Sequence, residues 1–192
     1  EVDVTQTGTA VTPLIGLNVR PMDGLNIGIR YEMNTDLDLE NDTEKDGVGM
    51  YPDGKTFSND IPAVLGIGAQ YVINPSLKAS VSGTYFFDDG ADWEGREELV
   101  DNNFFEVSAG AEYKLSDGVC LSLGVLHSQT GVGPEYQNDI SHSLTSNTVG
   151  LGARFAVTEA LFMDLGALYT MYDDGERDIA YYKVEELLAE DD

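Results

Sequence analysis

Positive charge is scarce in this sequence: 10 Lys+Arg stand against 35 Asp+Glu, a formal net charge of −25. With no basic cluster to neutralise phosphates, nucleic acid is excluded as a partner. Cysteine is nearly absent as well. The single Cys120 can close no disulfide within the chain and has no second thiolate with which to share a metal. Only two histidines are present, His127 and His142. No apolar run approaches the roughly 20 residues of a spanning helix, so a helical membrane protein is excluded. The opening stretch EVDVTQTGT is polar and does not read as a signal peptide. The 42% hydrophobic content would by itself permit a soluble single-domain core.

What the chain does have is alternation. In FFEVSAGAEYKL, Phe105, Val107, Ala109, Ala111, Tyr113 and Leu115 share one side of a strand, while Glu106, Ser108, Glu112 and Lys114 share the other. The same period of two marks eight segments, 12–20, 25–34, 61–72, 77–87, 105–115, 119–128, 148–157 and 161–172. Each is about the 9–11 residues that a tilted strand needs to cross a bilayer. The only helical pattern is VEELLAE near the C-terminus. RPMDG, INPS, SDG and TEA read as tight hairpin turns. The links at 34–60, 88–104, 129–147 and from 173 onward are long, and they hold 26 of the 35 carboxylates, 8, 7, 2 and 9 in order. Short turns at one rim and long loops at the other is the layout of an outer-membrane barrel. DLDLENDTEKDG, from Asp36, opens like a calcium loop but has Asn41 where that pattern needs glycine, so no metal site is assigned.

None of the 43 odd-numbered residues in these segments is charged, where a chain that is 23% charged would place about ten. The even face carries Arg20, Arg30, Glu32, Lys78, Glu106, Glu112, Lys114, Arg154 and Asp164, together with nine glycines. In a soluble sandwich or lipocalin the odd face would be core. In a membrane barrel it meets lipid, and the even face lines the lumen. Two features favour the membrane: glycine weakens strands and suits a crowded lumen, and Tyr31, Tyr71, Tyr85, Phe87, Phe105, Tyr113, Phe155 and Tyr169 gather near segment ends as interfacial girdles do. The expected fold class is all-β, an antiparallel up-and-down transmembrane β-barrel, with the bacterial outer membrane as location and its lipid as partner.

The run IPAVLGIGAQYVINPSLKASVSGTYFFDDGADW resembles the FadL/TodX family of outer-membrane transporters for long-chain fatty acids and aromatic hydrocarbons. The residues that carry the likeness are Pro62 opening a strand, Gly68 and Tyr71 near its end, the Asn74-Pro75 turn, Leu77 opening the return strand, then Tyr85, Phe87 and Trp93. TPLIGLNVRPMDGLNIGIRYEMNTDLDLEN is similar to the preceding hairpin. The resemblance implies a barrel of about fourteen strands, an N-terminal hatch and passive, lateral passage of a hydrophobic solute. With eight strands, no hatch-like start and Asp192 in place of a terminal aromatic, residues 1–192 are expected to be one segment of such a barrel.

Candidate sites follow from the even face. Its apolar members Leu14, Val64, Phe86, Phe104, Leu126, Leu168 and Tyr172 lie mostly toward the long loops and would contact a hydrophobic small molecule, or else pack against an inward loop or hatch. The nine charged residues are expected to pair with one another as a wall network. Catalysis is not expected, because His127 and Ser128 point to opposite faces. No cofactor is implied. The expected function is passive outer-membrane transport of fatty acids or hydrocarbons. Two alternatives stand beside it, a same-fold scaffold or shuttle in protein secretion and a soluble lipocalin-like carrier.

Overall fold

The computed structural model describes residues 1–137 and 142–175. The chain runs through eleven strands in order: β1 (Val2–Thr7), β2 (Leu14–Met22), β3 (Leu25–Glu32), β4 (Asp38–Asp46), β5 (Thr56–Ser58), β6 (Ala63–Asn74), β7 (Leu77–Phe87), β8 (Phe105–Ser116), β9 (Val119–Gln129), β10 (Ser146–Ala156) and β11 (Phe162–Tyr172). Eight of these form one antiparallel sheet in the order β11-β10-β9-β8-β7-β6-β3-β2. Every neighbour in that sheet is also a neighbour among its strands in sequence, which is up-and-down topology. These eight match the period-two segments of the sequence to within a few residues at each end. No helix of the described residues is long and apolar enough to cross a membrane. The VEELLAE stretch lies outside the described residues.

The turns fall where turn chemistry places them. Gly24 adopts φ +81, in the left-handed region that glycine enters without penalty. The β6–β7 turn is held by the Asn74 side chain, which accepts the Ser76 N–H at 2.9 Å. Pro62 stands immediately before β6, where its missing N–H removes no ladder bond. Register irregularities next to three of these turns, between Val19 and Met22, Val72 and Asn74, and Lys114 and Ser116, mark bulges at the strand ends.

The link at 34–60 departs from the expected loop. It contains β4 and β5, which join β1 in a separate three-stranded sheet, β1-β4-β5. The reason is that the covered side of β4 is polar. Asn41 is buried, accepting from Gln6 Nε2 at 3.0 Å and donating to the Pro52 carbonyl at 3.3 Å, and Thr43 Oγ1 donates to the Tyr51 carbonyl at 2.8 Å. A strand held by hydrogen bonds on its covered side leaves no hydrophobic period to read. The run from Asp36 that opens like a calcium loop is strand over Asp38–Asp46, paired with β1.

The large sheet encloses no dry core. Among the described residues the buried apolar side chains are Ala63 and Ala91, at the loop end. On the odd face Leu17 is 61% exposed, Leu151 62% and Tyr169 70%. The sheet is also open, because β2 and β11 are its two edges and do not pair with each other. A closed eight-stranded barrel, which the lipocalin-like alternative needs, is not what these strands form.

Candidate functional site

The even face is built by register. Leu14 stands opposite Glu32, Glu32 opposite Val64, and Val64 opposite Phe86, one row across four strands at the loop end. Phe86 donates its N–H to the Phe104 carbonyl at 2.9 Å, and the two rings lie 5.0 Å apart, tilted at 52°. The Asp88 carboxylate accepts the Phe104 N–H at 2.7 Å and fixes the backbone there. Burial raises the Asp88 carboxyl above its usual range, the Phe104 N–H opposes that shift, and neighbouring Asp89 adds to it.

The expected apolar set therefore divides. Leu14, Val64, Phe86 and Phe104 share the row. Tyr172 lies one row lower, opposite Ser146, Leu126 two rows lower between Ser108 and Thr148, and Leu168 three rows lower, opposite Gly150. Hydroxyls share the rows of Tyr172 and Leu126. Ser82 and Ser108 share a bond of 2.7 Å, Ser128 Oγ donates to Glu106 at 2.8 Å, and Thr148 and Thr170 share one of 2.9 Å. This hydroxyl seam was not anticipated, although Ser and Thr recur at even positions of β7 to β11.

The charged set pairs across strands. Lys78 Nζ reaches Glu112 at 2.6 Å, and Arg154 makes a two-pronged contact with Asp164 at 2.7 and 3.2 Å. Arg30 pairs with Glu32 along β3. Lys114 departs from the expected set, turning to Asp117 in the adjacent turn at 2.7 Å. Glu106 takes its hydrogen bond from a serine and not from a cation. Arg20 lies in the β2 bulge and makes no ion pair among the described residues.

A hollow of about 280 Å³ opens on this face at the turn end, lined by Lys78, Glu112, Lys114, Cys120, Arg154 and Phe162 among others. It lies at the opposite end from the Phe86–Phe104 row. Val72 and Phe162 bring apolar surface to it, and sequence reasoning, drawn to the loop half, passed over both. On the odd face His127 Nδ1 meets Asn147 Oδ1 at 2.9 Å, while Ser128 engages Glu106 on the other side. No serine–histidine contact forms there.

Odd-face aromatics stand in two tiers. Tyr31, Tyr85 and Phe87 cluster at the loop end, with centroids of 6.3 Å for Tyr31–Phe87 and 4.9 Å for Tyr85–Phe87. Phe105 lies in the same tier, opposite Tyr85, and Tyr113 lies eight residues along β8 toward the turns, about 27 Å at strand rise.

Barrel walls are known with this layout. The crystal structure of a Pseudomonas aeruginosa FadL homologue matches with a TM-score of 0.58 and 17% identity, over 82% of this chain and 42% of that one. The likeness is one of fold, and this chain spans less than half the neighbour's length. No family model matches the sequence, and no curated protein matches it. With β2 and β11 pairing with no further strand among the described residues, the eight strands are a part of a barrel wall.

Proposed function

We propose that this chain is wall of an outer-membrane β-barrel that admits hydrophobic small molecules passively. One observation carries the reading: the uncharged face of the large sheet stays exposed while that sheet's ion pairs and its bonded serine and threonine hydroxyls lie on the other face. In water such a continuous apolar surface would be covered or would aggregate. Against acyl chains it needs no cover, and the two aromatic tiers suit the two interfaces. The likeness to a FadL homologue supports the same reading at the level of fold.

The solute would enter near the long loops, rest against Leu14, Val64, Phe86 and Phe104, and leave without energy input. Apolar contact supplies the hold, and the paired charges stiffen the wall around it. No step requires a cofactor. Fatty acids and hydrocarbons are the solute classes that such a surface suits.

The test is fractionation of the full-length protein, followed by uptake. Recovery from outer membranes only with detergent, and protein-dependent entry of a radiolabelled hydrophobe into outer-membrane vesicles, are the expected results. Solubility without detergent would overturn the membrane reading, and entry no faster than in protein-free vesicles would overturn the transport reading.

A further inference from the structure

Charges on the even face are sorted by height, and the sorting bears on which hydrophobe can use it. Among the described strand residues of the loop half, Glu32 and Glu106 share the face with one cation, Arg30, and Arg30 is already paired with Glu32. Asp88 adds a third carboxyl beside the Phe86–Phe104 pair. The remaining cations of the large sheet sit toward the turns, where Lys78, Lys114 and Arg154 are each engaged by a carboxylate and Arg20 lies in the β2 bulge. From Phe86 to Lys78 is eight residues along β7, about 27 Å at strand rise. Above the patch, the links at 34–60 and 88–104 carry 8 and 7 carboxylates against Lys45, Lys55 and Arg96.

We propose that the solute taken by this face is uncharged, an alkane, arene or alcohol, in preference to a fatty carboxylate; the proposal rests on the transport reading above. A carboxylate whose tail lay on Phe86 and Phe104 would sit beside Glu106 and Asp88, and Arg30, the one strand cation of the loop half among the described residues, is already paired with Glu32. Its desolvation there would go uncompensated. An uncharged molecule of the same length meets the same apolar contacts without that penalty. The discrimination is electrostatic and short in range, since the screening length is about 8 Å at 0.15 M salt, so it weakens as salt rises.

The experiment compares radiolabelled dodecanol with dodecanoate in outer-membrane vesicles carrying the full-length protein, at pH 7.5, against protein-free vesicles. At low salt, protein-dependent entry of dodecanol is expected to exceed that of dodecanoate by about tenfold or more, with the gap narrowing at 0.5 M salt. The double variant Glu32→Gln/Glu106→Gln is expected to raise the dodecanoate-to-dodecanol ratio several-fold. Equal or faster entry of dodecanoate, or a ratio unmoved by the double variant, overturns the proposal and leaves transport standing. Entry of neither above the protein-free rate overturns both.

Discussion

Trp93 donates its indole N–H to the backbone carbonyl of Asp60 at 2.8 Å, which ties the loop after β7 to the link that precedes β6. Asp60 is the knot of that junction. Its N–H donates to the Asp92 carbonyl at 3.1 Å, and its carboxylate accepts the N–H groups of Leu37 at 3.0 Å and Asp92 at 3.1 Å. The loop after β7 is in turn stitched to the loop after β9, where Asn102 N–H meets the Gly131 carbonyl at 2.9 Å. Three of the long connections thus form one hydrogen-bonded layer at the loop end.

Replacing Trp93 by Phe keeps most of the ring and removes the donor. The expected cost is about 1 kcal/mol of local stability. It would be read as faster protease cleavage within 34–60 and 88–104 while the strands stay resistant; unchanged cleavage would mean that the Trp93–Asp60 bond does not hold the loops.

The layer should also respond to acid. Burial pushes the Asp60 carboxyl upward, but the N–H groups of Leu37 and Asp92 and the Asn34 amide outweigh it and hold it below the usual range. At Asp46 the Tyr51 N–H leads the downward shift, burial opposes it, and the N–H groups of Met50 and Val48 add to it. A depressed carboxylate stabilises the folded form above its unfolded value, near pH 4, and that contribution is lost as pH falls through the lower folded value. Loop protection is therefore expected to be full at pH 6 and to fade below about pH 4, with the Asp60→Asn variant lacking the Asp60 share. Asp88 has the opposite sign. Its raised carboxyl favours the folded state at low pH and loses that contribution as pH rises above about 4, so Asp88→Asn is expected to raise the melting temperature at pH 7 and not at pH 3.

Leu151 lies at the middle of β10 on the exposed apolar face. In a bilayer Leu151→Arg is expected to cost about 2–4 kcal/mol, against about 0.5 kcal/mol or less for an ordinary water-facing site. Unfolding in lipid and in detergent by urea titration separates the two.

Phe86 packs against Phe104 at the loop end of the opposite face. Phe86→Asp is expected to cut hydrophobe entry by roughly tenfold, the effect of a carboxylate on an apolar contact, while gel mobility with and without heating shows assembly intact. Undiminished entry would remove this row from the solute path.

Most of the wall was legible because every one of its strands has one face free of charge, and a period of two survives any tilt or twist of the sheet. The tight turns were legible through Asn74-Pro75 and Asp23-Gly24. β4 was not, since Asn41 and Thr43 do by hydrogen bonding what apolar residues do elsewhere. β1 and β5 went unread with it; each is short, and both pair with β4. On the charged face, composition indicated pairing but not partners. Lys114 found its acid in the neighbouring turn, and Arg20 was carried out of the ladder by a bulge, a detail that residue alternation cannot encode.

The large sheet consists of complete hairpins, β2–β3, β6–β7, β8–β9 and β10–β11, each closed by its short turn at the same end. A wall assembled in such units can gain or shed one without reversing any other strand or sending a long loop to the wrong side. Barrel girth can then change in steps of two strands during evolution, while the assignment of every existing side chain to one face or the other is inherited intact.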